Sequence, residues 1–179
     1  MLEYTLYLNP ETHVRSTQDD ATGFRIFGHL HRIAQRTAIE EESYRRRIEA
    51  YPGIYKRFLQ LDRYNDYKRR LVDEAARQGF YLRDAGMKIT FYIPVPPSWR
   101  PGKKAKKHMT RHQSKPDIDN FEKALFDSLR PHQDHAIWQT NGMKKLWVNE
   151  PAGCIRIEVE EQPEESTEDP HQLKLRFRK

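Results

Sequence analysis

The sequence predicts an α/β (α+β) fold, a small mixed β-sheet packed with helices, and three observations carry that expectation. Two segments, "LEYTLYL" and "MKITFYIPV", alternate apolar and polar residues with the period of two that a half-buried strand requires. Between them, apolar residues recur at helical spacing from Phe27 to Ala75. Strands and helices that interleave in this way argue for one layered structure. A chain of 179 residues is most simply a single domain, residues 1–179, with a helical elaboration at about 24–60 and an acidic C-terminal tail at about 160–179.

In the first strand, Leu2, Tyr4, Leu6 and Leu8 share one face and Glu3, Thr5 and Tyr7 the other, and Asn9 and Pro10 end it. The stretch "FRIFGHLHRIAQR" places Phe27, Leu30 and Ile33 or Ala34 on one helical face. Thr37 followed by Glu40 predicts a capping box opening a second helix, with Glu41–Arg45 and Glu42–Arg46 as pairs four residues apart. Pro52 and Gly53 break the pattern, and a third helix is expected from Asp62, carrying Tyr64, Tyr67, Leu71 and Ala75 down one side and stopping at Gly79. Met87, Ile89, Phe91, Ile93 and Val95 form the packed face of the next strand. Further on, "KKLWV" and "CIRIEV" read as a hairpin joined by "NEPAG", and "LKLRFR" as a last strand or ordered arm.

Composition narrows the function. Mean hydropathy is −0.98, so the core is modest and much of the surface is charged. Net charge is +6, which favours a polyanionic partner such as nucleic acid. The charge is uneven: seven Lys or Arg residues and no acid lie between Ser98 and Pro116, whereas carboxylates crowd Glu158 to Asp169. The single Cys154 excludes an internal disulfide framework and a cysteine-based zinc knuckle. No apolar run reaches the roughly 20 residues that span a bilayer, and the N-terminus lacks the pattern of a signal peptide. A cytoplasmic protein with no membrane partner is expected.

"KPDIDNFEKALFDSL" gathers Asp117, Asp119 and Asp127 around Lys123. Surface ion pairs, a helix cap and a metal site each account for such a cluster. Asp119 suits an N-cap, with Glu122 completing a capping box. Phe121, Ala124, Leu125 and Leu129 then face the core, while Asp119, Lys123 and Asp127 recur every four residues on the polar side. Capping does not need Asp117, however, and two carboxylates held close repel unless a cation relieves them. Mg²⁺ is typically held by one or two carboxylates, with waters and substrate phosphate completing its octahedron. The preceding "WRPGKKAKKHMTRHQSK" reads as a mobile basic loop suited to bringing that phosphate. Trp99 reads as strand-end packing or as a base-stacking residue.

The stretch "FYIPVPPSWRPGKKAKKHMTRHQSKPDIDNFEKALFDSL" resembles the RusA-type Holliday-junction endonucleases of phages and prophages. There a strand ending in proline and tryptophan leads through a lysine-rich loop to a D-x-D-N-x-x-K-x-x-x-D motif. The resemblance covers about residues 87–160, continuing into an acidic turn followed by two strands. It implies a homodimeric nuclease of a bacterial or phage-infected cell that uses Mg²⁺ or Mn²⁺ to nick opposing strands of a four-way DNA junction. By position in the motif, Asp117 and Asp119 are metal carboxylates, Lys123 the essential lysine, Asn120 and Asp127 supporting residues, and Asp134 the later acid. Many relatives carry adjacent acids in that later turn, whereas here Gln133, Asp134 and His135 stand together. Lys103, Lys104, Lys106, Lys107, Arg111, His112 and Lys115 are the expected DNA contacts.

Two other classes compete. A non-catalytic junction-binding or regulatory protein would use the same basic loop without metal chemistry, and an interaction protein with merely charged surfaces would show no salt-sensitive DNA binding. His108, His112, His132 and His135 have no cysteine companion, and the pair four residues apart, His108 and His112, falls in the stretch read as a loop rather than on a helix, so they do not make a strong zinc site.

Overall fold

A computed structural model describes residues 1–14, 20–32, 38–131 and 133–160, with the backbone alone at residues 29–32, 38 and 134. In chain order the elements are β1 (Leu2–Leu6), α1 (Asp20–Arg32), α2 (Ala38–Ala50), α3 (Pro52–Arg77), β2 (Met87–Pro94), α4 (Pro101–Lys107), α5 (Ile118–Leu129), a one-turn 3-10 helix (Asp134–Ala136), β3 (Thr140–Val148) and β4 (Cys154–Val159). The expected α+β class with a small mixed sheet is the observed one. Thr37, Ile33, Ala34, "LKLRFR" and the acidic tail lie outside the described residues.

The strand order is β1-β4-β2-β3. β4 runs antiparallel to both β1 and β2, and β3 runs parallel to β2. The expected β3–β4 hairpin is therefore absent: β2 lies between the two strands. The short link that replaces it must cross the end of β2, and Gly153 makes the crossing possible. A Cβ there would stand 2.2 Å from the Tyr92 carbonyl oxygen and 2.9 Å from the rings of Pro10 and Pro94. The Gly153 N–H also donates to Asn9 Oδ1 at 2.5 Å, pinning the crossing to the end of β1.

Alternation along the strands builds the main core. Ile89 lies opposite Ile157, and Phe91 opposite Ile155. With Met87, Val159 and Leu6 they form a buried apolar layer covered by α3 and α5. Helix α3 supplies Tyr64, Tyr67, Leu71 and Ala75, as the spacing predicts, and α5 supplies Phe121, Ala124 and Leu125. The other sheet face carries cross-strand charges, with Lys88 3.4 Å from Glu158 and Arg156 3.3 Å from Glu3.

Helix α3 starts ten residues before the expected Asp62, because Pro52 opens it rather than breaking the chain. A proline at the first helical position loses no intrahelical bond, since that N–H has no partner anyway. The added turns carry Phe58 into a second cluster with Phe27 and Tyr44, padded by Phe24, Ile48, Ile54 and Tyr55. Asp20, buried at the start of α1, ties that helix to α3 through Arg57, with contacts of 2.9 and 3.2 Å. One helix thus spans the sheet core at one end and the helical elaboration at the other.

Helix α3 also closes the outer edge of β1. The Thr5 N–H donates to Gln78 Oε1 at 3.2 Å, and Gln78 Nε2 returns a hydrogen bond to the Thr5 carbonyl. Buried Glu74 accepts the Tyr7 N–H at 3.3 Å and Gln78 Nε2 at 2.9 Å. An edge strand is thereby satisfied by side chains instead of being left as a template for another chain.

Gly153→Ala is expected to lower unfolding stability by more than about 2 kcal/mol, because the backbone at the crossing has nowhere to retreat. Gly102→Ala, where nothing lies within 4 Å of the added Cβ, should leave stability unchanged or raise it by up to about 1 kcal/mol. Urea unfolding of both variants tests the geometry, and an unshifted midpoint for Gly153→Ala would contradict it.

Candidate active site

The basic stretch folds. Where a mobile loop is expected, Pro101 starts the two-turn helix α4, and Lys104, Lys106 and Lys107 fall in its last turn, where cations meet the negative end of the helix dipole. Its root is aromatic. Half-buried Trp99 packs on Trp147 with ring centroids 5.2 Å apart, and Lys103 Nζ lies 3.9 Å above the Trp99 ring. Trp99 is thus a packing residue.

After α4 the chain turns through Met109, whose φ of 58° lies in the left-handed region, and joins the outer edge of β3. The Met109 N–H donates to the Trp147 carbonyl at 2.8 Å, the Trp147 N–H to Thr110 at 2.9 Å, and the His112 N–H to Lys145 at 3.0 Å. Arg111 bridges Leu146 and stays exposed. His112 does not: it is 4% exposed, with its ring 4.0 Å from that of Trp147. The expectation that it contacts DNA is corrected, because the same alternation that points Arg111 outward turns its neighbour onto the tryptophan. Burial, then the nearby positive charge of Lys145, holds the His112 pKa below its ordinary value of 6.5.

Lys145 is the residue that sequence reasoning missed. Its Nζ donates to the Ser114 carbonyl at 2.7 Å and to the Pro116 carbonyl, fixing the chain immediately before Asp117. Lys145 pairs in register with Phe91, so a lysine at an inward position of an alternating strand was the available signal.

Asp117, with extended backbone (φ −73°, ψ 158°), is the N-cap of α5, which corrects the expectation that Asp119 caps it. Asp119 lies within the first turn. Asp117 makes no capping hydrogen bond, and both carboxylates are exposed. Their oxygens are hard donors available to a divalent cation, so this part of the site fits one. Asn120 Nδ2 donates to Asp119 Oδ1 at 3.4 Å. Burial, reinforced by the negative charge of Asp119, raises the pKa of Glu122.

Lys123 stands one turn beyond Asp119 and is exposed; Asp127 follows one turn later, with Oδ2 3.3 Å from His13 Nε2. Burial and the charge of Asp127 push the Tyr64 hydroxyl up to about 12. Asp134 opens the 3-10 helix before β3, with only its backbone described. Among the described residues, no three His, Cys, Asp or Glu side chains form a metal-holding group. Lys103, Lys106, Lys107 and Lys115 are exposed and Lys104 is half-buried.

A cationic helix, followed by a segment bonded to a sheet edge that leads into two exposed carboxylates at a helix N-terminus, is an arrangement that suits proteins acting on phosphate backbones. Residues 41–160 match the family model of the endodeoxyribonuclease RusA. The chain belongs to that family, whose activity is hydrolysis within DNA strands. The match takes in most of α2 and all of α3, while β1, outside it, is joined to the sheet through β4. No curated protein and no solved structure matches the chain. No helix among the described residues is long and apolar enough to cross a membrane.

The His112 environment predicts a pH dependence. Its folded pKa is depressed, so near and below 6.5 the unfolded chain binds more protons and folding weakens as pH falls. Thermal midpoints measured from about pH 7.5 to about 5.5 should decline. His112→Phe, which keeps an aromatic ring against Trp147, should decline less over the same interval.

Proposed function

We propose that this chain is a Mg²⁺- or Mn²⁺-dependent endonuclease that resolves Holliday junctions in DNA recombination and repair by paired nicks in opposing strands. The observation that carries the reading is the fixed path from the α4 lysines to Asp117 and Asp119, in a chain of the RusA family.

Lys103, Lys104, Lys106, Lys107, Arg111 and Lys115 would hold the DNA backbone, each phosphate contact releasing counterions. Asp117, Asp119 and Asp134 would hold one or two divalent ions, which when bound supply Lewis-acid polarisation of the scissile phosphate and an activated water. Asn120 orients Asp119 through its amide. Lys123 would neutralise charge developing on the phosphate oxygens, a contribution that grows toward the transition state. A two-fold homodimer would match the approximate symmetry of a four-way junction and place two sites on opposing strands.

Labelled four-way, three-way and linear duplex DNA, incubated with and without Mg²⁺, test substrate class and cofactor together: cleavage of the four-way junction in the presence of metal alone is expected. Asp119→Asn should slow that cleavage at least about a hundredfold, because several kcal/mol of charge stabilisation depend on the bound ion, while junction binding persists. Undiminished cutting would sink the metal assignment. Replacing any one of the four α4 lysines by Ala should lower the salt slope of binding by about one.

A further inference from the structure

Lys123 lies between two carboxylates on α5, Asp119 one turn before it and Asp127 one turn after. Opposite charges at this spacing are helix-surface neighbours. Yet among the described residues Lys123 forms no ion pair, and Asp127 turns aside to His13, with side chains 26% and 19% exposed. His13 arrives on the segment after β1 and is held from several directions. Its N–H donates to the Asn120 carbonyl at 3.0 Å, and its ring meets Tyr64 edge-on, 5.9 Å between centroids at 84°. His13 thus touches α5 at Asn120 and at Asp127, about one turn before and one turn after Lys123 in the helix.

We propose that His13 is a positioning residue that holds Asp127 away from Lys123, leaving the ammonium free for the scissile phosphate. The second clause rests on the role given to Lys123 in the proposed function; the first does not. Without the imidazole, the nearest turn of helix offers Asp127 a cation in Lys123. The other candidate is Lys68 of α3, which lines the same cavity of about 310 Å³ as His13, Tyr64 and Asp127 and lies 5.7 Å over the Tyr64 ring. The two lysines are separable by experiment.

Trace acylation of lysine amines, read by mass spectrometry on the full chain, measures the availability of each. His13→Ala should reduce Lys123 reactivity by up to about twofold, the effect of one helix-spaced ion pair. His13→Gln, whose amide can still donate to Asp127, should restore it, as should His13→Ala combined with Asp127→Asn. Thermal melting confirms that each variant is folded. Unchanged Lys123 reactivity in His13→Ala, an equal loss with and without Asp127, or a loss confined to Lys68 would each overturn the proposal. Junction cleavage by His13→Ala and His13→Gln, which leave the motif intact, should follow Lys123 reactivity in kcat with KM unchanged. If reactivity shifts as expected and kcat does not, the role of Lys123 in the proposed function fails, while the restraint of Asp127 by His13 stands.

Discussion

The inner edge of β3 is paired with β2 from Thr140 to Val148, while its outer edge takes the segment from Met109 to His112 through the N–H groups of Met109, Trp147 and His112. Unpaired backbone groups on a sheet edge are costly when covered and hazardous when open. By satisfying them, the basic segment gives up the freedom of a loop and acquires a fixed direction. The side chains of the same strand extend that control: Trp147 supports Trp99 and His112, and Lys145 holds two carbonyls ahead of Asp117. The positions of α4 and of the α5 N-terminus therefore follow from where β3 sits, and β3 can lie parallel to β2 only because α4 and α5 make up the crossover between them.

On the far side of the sheet, α3 performs a comparable service for β1. Gln78 and Glu74 bond its backbone, and the chain beyond β1 then passes close to α5 at His13. The upper turns of α3 leave the sheet and carry the Phe27, Tyr44 and Phe58 cluster. These apolar groups bury one another, each worth about 2–3 kcal/mol relative to exposure, so the elaboration has a core of its own.

Strands and core were legible from alternation alone, since a period of two leaves little choice about which side of Met87–Pro94 faces inward. Partnership was not. A five-residue link such as "NEPAG" suits both a hairpin and a crossing, and only the backbone of β2 passing beneath Gly153 separates them. Similarly, "KPDID" reads as a cap at Asp119 backed by Glu122, yet the helix starts two residues earlier at Asp117; the clamp from Lys145, remote in sequence, holds the chain ahead of Asp117. The lysines of α4 concealed a helix because charge masks the apolar period by which helices are recognised, although proline at its start and cations in its last turn were both present. His112 was misassigned for the same reason: its composition matched its basic neighbours, while its burial depends on a tryptophan from another strand.

The cations of the chain divide by whether the fold already uses them. Arg57 is committed to Asp20, Arg69 to Asp66, Arg77 to Glu74, Arg130 to Asp84 and Arg156 to Glu3. Lys145 is committed to backbone carbonyls. The exposed pairs among them, such as Arg69–Asp66, add little stability, but every pair removes a charge from competition for an external anion. The stretch from Ser98 to Pro116 contains no acid, so its lysines have no such local partner. Their mutual repulsion within one short helix is relieved most directly by an anion brought from outside, and a phosphate backbone supplies several at a spacing a two-turn helix can meet. A net charge of +6 spread evenly would give only weak, undirected attraction; seven cations are instead concentrated in the one stretch that ends at Pro116, immediately before Asp117 in the chain.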